Sequence, residues 1–229
     1  MIVRWCLGLL LFIITLPAAA DFQADSHNKA SLQRGAQLYF NYCASCHSLG
    51  YETYSNIATY LGASALPTTT LAQALLFDPA GDINQTIRTA LSPEDGQRWF
   101  GVAPPDLTTI ASQKTPQWLY AFLRGFYQDP TKIHGTNNVI AINTAMPNVL
   151  SNLRGEVQPV FKNHHIDHLI TVKAGELSPL AFDRAMADLV NFLSYIAEPW
   201  QNFRIALGIA ITSLLFLLAL ICQWLFKET

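Results

Sequence analysis

The sequence predicts a mainly α-helical domain that is exported across a membrane and held to it by one C-terminal helix. Three observations predict this. Apolar residues recur at helical intervals at Leu32, Leu38, Tyr39 and Tyr42, and again at Phe182, Met186, Leu189, Leu193 and Ile196. The first twenty residues have the make-up of an export signal. From Ile205 to Phe226 no charged residue occurs.

Residues 1–20 read as a cleaved signal peptide. Arg4 supplies a short basic n-region, Leu7 to Leu16 an apolar core, Pro17 a break, and Ala18-Ala19-Ala20 the small residues of a cleavage site. The core is shorter than the ~20 apolar residues a spanning helix needs. Cleavage after Ala20 is therefore expected, and Cys6 is discarded with the peptide.

Residues 21–203 form the exported domain. Its first helix begins near Ser31 and ends at the stretch "NYCASCHSLG", residues 41–50. Four cysteines in 229 residues are too few for a disulfide framework. A structural zinc site needs four ligands, and His164, His165 and His168 lack the usual spacing to complete one with Cys43 and Cys46. A redox dithiol belongs between a strand and a helix, yet the residues upstream of Cys43 are helical in pattern. Haem attachment needs this order of residues: two thiols for two vinyl groups, then an adjacent imidazole under the iron. Cys43, Cys46 and His47 supply it, and the export signal supplies the compartment.

A haem with one histidine needs a second ligand or an open face. The chain has three methionines. Met1 leaves with the signal. Met186 lies on the apolar stripe of a helix that Ser178 caps and Pro179 opens, and such a methionine is core. Met146 precedes Pro147, which forces its predecessor out of helical geometry. A fixed loop suits a thioether over an iron, so Met146 is the expected second ligand. His134 lies among polar turn residues and is expected to face solvent. His164, His165 and His168 cluster around Asp167, which can pair with a neighbour, and could form at most a surface metal site.

Residues 204–226 read as the transmembrane anchor. At ~1.5 Å per residue the uncharged run reaches ~33 Å, enough to cross a hydrocarbon core. Arg204 and Lys227 bracket it, with Trp200 and Trp224 at interfacial positions. The signal places the domain in the periplasm and residues 227–229 in the cytoplasm. The formal net charge of −2 gives no basic surface for nucleic acid.

Beyond these elements the chain resembles the cytochrome c1 family, the haem subunits of bacterial cytochrome bc1 complexes (ubiquinol–cytochrome c reductase). The resemblance runs through "RGAQLYFNYCASCHSLGY" (34–51), "APPDLTTIA" (103–111), "WLYAFLRGFY" (118–127), "AMPNVL" (145–150) and "FLSYIAEPW" (192–200). It implies a class I cytochrome c-like haem domain with loop insertions, carrying one covalent haem c. The stretch 62–100 reads as such an insertion, a set of loops around the haem core.

The resemblance also implies that Pro104 and Pro105 pack on the haem. Two consecutive prolines do offer a rigid apolar wall without N–H donors. At Lys114 the family usually has an arginine beside a haem propionate; lysine keeps the charge and loses the planar fork. At Asn148 many members have histidine. The implied function is one-electron transfer from a Rieske iron–sulfur subunit to a mobile cytochrome c, beside cytochrome b, in the inner membrane and in contact with its lipid. No substrate bond is made or broken on the chain. Two alternatives remain open on the residues alone: a haem c subunit of another respiratory complex, and a haem sensor or enzyme with an open sixth site.

Overall fold

A computed structural model describes residues 22–63 and 81–228. The expected signal peptide, its cleavage site and Cys6 lie outside the described residues, as do residues 64–80 of the expected insertion and Thr229.

Helix α1 (Lys29–Tyr42) starts where the Asn28 side chain accepts the Ser31 N–H, and it ends at Cys43. It buries Leu32, Ala36 and Tyr39. These residues meet α7 (Pro179–Ala197), whose N-cap Ser178 accepts the Ala181 N–H and whose stripe buries Phe182, Met186, Leu189, Val190, Leu193 and Ile196. Met186 is fully buried there, as its place on the stripe predicts. The two helices cross closely at Gly35, where any Cβ would run into the Asp188 carbonyl. Beside the crossing, Asp188 accepts from Ser31 Oγ at 2.6 Å and from Arg34 Nε and Nη2 at 2.6 and 2.8 Å. Asn191 donates to Ser31 Oγ at 2.9 Å. The buried side chains of Ser31, Asp188 and Asn191 are thus bonded to one another, as a buried network must be to hold rather than weaken a core.

Shorter elements close the space on either side. Strand β1 (Leu49–Thr53) pairs antiparallel with β2 (Thr86–Ile87) and leads into α2 (Tyr54–Tyr60). Helix α3 (Pro93–Phe100) follows, then α4 (Ile110–Lys114) and α5 (Pro116–Arg124). Arg124 grips Asp183 through Nε and Nη2 at 2.6 and 2.9 Å, fastening α5 to α7. Strands β3 (Phe126–Gln128) and β4 (Thr136–Asn138) form a second antiparallel pair, and α6 (Ser151–Arg154) precedes a long hairpin. The hairpin strands are β5 (Gly155–Lys162) and β6 (His165–Ala174), paired antiparallel from Gly155↔Ala174 to Lys162↔His165 with register shifts between Glu156 and Val157 and between Val160 and Phe161. The mainly α-helical class holds, with small sheets at its edges.

Two local expectations need correction. The described part of 62–100 is not all loop: residues 93–100 are helical because Ser92 caps Asp95, Pro93 opens the turn, and Glu94 and Asp95 face the positive helix end. His134 is half-buried rather than solvent-facing, its ring 5.5 Å from that of Phe100.

Helix α8 (Gln201–Glu228) runs away from the core. The most apolar 18-residue stretch of its segment Phe203–Lys227 has a mean hydropathy of 2.8 and is not buried within the chain. Such a helix is stable only if something apolar covers every face.

Candidate functional site

The end of α1 with the turn before β1, the segment between α3 and α4, helices α4, α5 and α7, and the loop before α6 enclose an apolar cavity of about 310 Å³. Cys43, Cys46, His47, Pro104, Pro105, Lys114 and Met146 all line it. Residues spread over most of the chain are thereby brought to one place. The rest of the wall is mostly apolar, with Leu107, Leu119, Phe122, Leu189 and Leu193 contributed by three segments.

Cys43 and Cys46 are both free thiols. Burial, with a smaller contribution from Cys46, pushes the Cys43 thiol up to about 12. A thiol held protonated in this way is a poor exchange nucleophile.

His47 is fixed from three directions. Its N–H donates to the Cys43 carbonyl at 2.8 Å, its carbonyl accepts the Tyr39 hydroxyl at 2.7 Å, and its Nδ1 lies 2.7 Å from the Pro105 carbonyl oxygen. A carbonyl can only accept, so Nδ1 carries the proton and Nε2 is the nitrogen left for a metal. Burial lowers the imidazole below the ordinary histidine range, opposed by the Pro105 carbonyl and by the charge of Asp106. The neutral form that ligates metals is thereby favoured. Sequence reasoning assigned Pro105 an apolar role and missed this carbonyl; only the backbone geometry reveals it.

Met146 lies in a non-helical loop, as Pro147 requires, with its N–H toward Thr144 Oγ1 at 3.4 Å. The loop is shaped by asparagines: Asn138 Oδ1 accepts from Ile140 and Ala141, and Asn137 Oδ1 accepts from Asn143. Pro104 is half-buried and Pro105 exposed. Exposed Lys114 stands at the rim with Nζ 5.4 Å from the Trp118 ring centroid.

The remaining histidines do not line the cavity. His164, His165 and His168 are exposed at the end of the β5–β6 hairpin, where His168 Nδ1 meets Asp167 at 2.8 Å. Among the described residues no group of three or more His, Cys, Asp or Glu could hold a metal.

The donor set fits a haem: two thiols, an imidazole with its Nδ1 committed and Nε2 available, a thioether on a separate loop, and an apolar wall between them. Fold and site together define a membrane-anchored c-type cytochrome. The comparisons narrow this class. A model of the Cytochrome C1 family matches residues 19–229, and the chain belongs to that family. It is 38% identical over 213 residues to "Cytochrome c1" of Allochromatium vinosum, across 89% of this chain and 85% of that one. It is 36% identical over 194 residues to "Ammonia monooxygenase gamma subunit" of Nitrosomonas europaea, across 84% and 79%. A chain of a solved "Hyperthermophilic respiratory Complex III" aligns with a TM-score of 0.43 at 16% identity, over 99% of this chain and 92% of that one. Cytochromes c1 carry covalently bound haem c and serve as electron carriers in bc1-type complexes, and this chain is one of that family.

Proposed function

We propose that the chain relays single electrons from a Rieske iron–sulfur subunit to a mobile cytochrome c, with His47 and Met146 as the axial pair. Haem c, when bound, supplies a one-electron iron couple. The chain's own residues do the rest. Cys43 and Cys46 anchor the group covalently, which keeps it in place through every redox cycle. His47 offers Nε2 while the Pro105 carbonyl holds Nδ1. Met146 offers a thioether, which favours the reduced iron and raises the potential, and the apolar wall raises it further by excluding water. Pro104 and Pro105 cover one edge, and Lys114 stands where a propionate charge needs a cation. Residues 1–20 are removed on export, 21–203 lie in the periplasm, 204–226 span the inner membrane against lipid and cytochrome b, and 227–229 remain in the cytoplasm.

One observation carries this reading. His47, with only one ring nitrogen uncommitted, shares a cavity with Met146 and both thiols. A second reading is supported by the Nitrosomonas relative, whose name attaches a chain of this kind to an oxygenase. Gentle detergent purification followed by identification of the partners decides between them. Recovery of a Rieske protein and a b-type cytochrome is expected; recovery of oxygenase subunits in their place contradicts the proposal.

A further inference from the structure

The proline pair beside His47 creates a problem of register. Neither Pro104 nor Pro105 has an N–H, so neither can pin its own segment through the backbone donor that other residues have. The residue after them, Asp106, pins the segment through its carboxylate instead. Its Oδ2 accepts the Gly50 N–H at 2.7 Å. Its Oδ1 accepts the Thr108 N–H at 2.8 Å and the Thr108 hydroxyl at 2.5 Å. Two further bonds join the same segments: Leu107 N–H to the Ser48 carbonyl at 2.9 Å, and Tyr51 N–H to Thr108 Oγ1 at 3.4 Å. The carboxylate reaches the backbone of residue 50 only because that residue is glycine. A Cβ there would lie 2.7 Å from Asp106 Oδ2 and 2.6 Å from Arg88 Nη1. Residues 47–51 and 105–108 are therefore laced side by side, with the Pro105 carbonyl directed at His47 Nδ1.

We infer that Asp106 is the positioning residue for the axial histidine: by bridging Gly50 and Thr108 it sets the Pro105 carbonyl on His47 Nδ1, and so fixes the plane and basicity of the imidazole offered to the iron. The inference rests on the reading of His47 as an iron ligand. A strong acceptor on Nδ1–H makes the imidazole a better electron donor, which favours the oxidised iron. Loosening that bond therefore raises the potential.

The test is Asp106→Asn in the full chain, purified in its complex. The amide keeps the shape but replaces one of two acceptor oxygens with a donor, which then faces an N–H or O–H group. The midpoint potential should rise by about a tenfold change in the one-electron equilibrium, ~59 mV. The g-anisotropy of the ferric EPR signal should change, while the far-red methionine–iron band stays. A variant that only melts earlier, with potential and g-values unmoved, overturns the inference. Should Asp106→Asn fail to accumulate, Thr108→Val decides, since it removes the hydroxyl donor and leaves both backbone donors. A smaller upward shift supports the assignment, and no shift overturns it. The native spectrum keeps the two readings apart. A native protein without the far-red band refutes the axial pair itself, whereas a native band with an unmoved variant refutes only the role of Asp106.

Discussion

The two walls of the cavity are built differently. On the His47 wall four bonds converge, three of them from distant parts of the chain: Tyr39 on the His47 carbonyl, and from farther off Pro105 on its ring, Thr89 Oγ1 on the Ser45 carbonyl at 2.5 Å, and Leu107 on Ser48. On the Met146 wall the bonds nearest the methionine are local. Asn137 and Asn138 hold the loop that leads to Met146, and Asn148 Oδ1 accepts the Leu150 N–H just beyond it. The methionine's own amide has one long contact. One wall is thus part of the folded framework, and the other is a loop shaped by its own side chains. Damage to the first should cost assembly. Damage to the second should cost tuning while assembly survives.

The largest effect is expected from Cys43→Ser with Cys46→Ser. Both covalent anchors go, and with them the group that fills the space between the two walls. The protein should lack haem after denaturing electrophoresis and should fail to accumulate. Haem that persists through denaturation would show that attachment lies elsewhere.

Ending the chain after Gln201 should leave both walls untouched and remove α8 alone. A soluble haem protein with the native spectrum is expected, because the most apolar stretch of α8 is not buried within the chain. Retention of the truncated form in washed membranes would show that the head binds the bilayer by itself.

Asn138→Ala probes the weaker wall. Asn138 is fully buried, accepts from Ile140 and Ala141, and donates to the Phe122 carbonyl at 2.8 Å. Its removal leaves buried donors and an acceptor unmatched, at a cost of about 1–3 kcal/mol. Thermal melting should fall accordingly. The far-red band should weaken at temperatures where the native protein keeps it, with covalent haem unaffected. Loss of haem instead would place this loop in the framework and erase the contrast between the walls.

Much of this contrast was legible in the sequence, for physical reasons that differ by residue. Helix α1 and helix α7 announce themselves through period and caps, since Ser178-Pro179 allows little else. Met146 was legible because Pro147 restricts its backbone. The β5–β6 hairpin was not. Its turn residues Asn163 and His164 both take positive φ, 51° and 65°, and histidine in that place hides a two-residue turn that glycine would have advertised. The three nearby histidines drew attention to metal binding, whereas His164 sits in the turn, His165 opens β6 and His168 lies within it. Helix α3 was masked by the polar composition around it, although Ser92-Pro93-Glu94-Asp95 is a complete helix start. The Pro105 carbonyl and the bridging of Asp106 could not be read at all, because each depends on how two segments far apart in sequence lie against one another.

The most direct test of the central claim is the midpoint potential of Met146→Leu, measured in the assembled complex beside Met186→Leu. Leucine nearly conserves the volume of methionine, so a core site should lose less than about 1.5 kcal/mol and keep its potential. Met186, fully buried on α7, should behave in that way. On the proposed ligation, replacing Met146 takes from the iron a soft ligand that favours its reduced state. The far-red band should vanish, and the potential should fall by several steps of ~59 mV, each a tenfold change in the one-electron equilibrium. Covalent haem and assembly should survive while quinol oxidation collapses. A Met146→Leu protein that keeps its far-red band, its potential and its turnover would contradict the account.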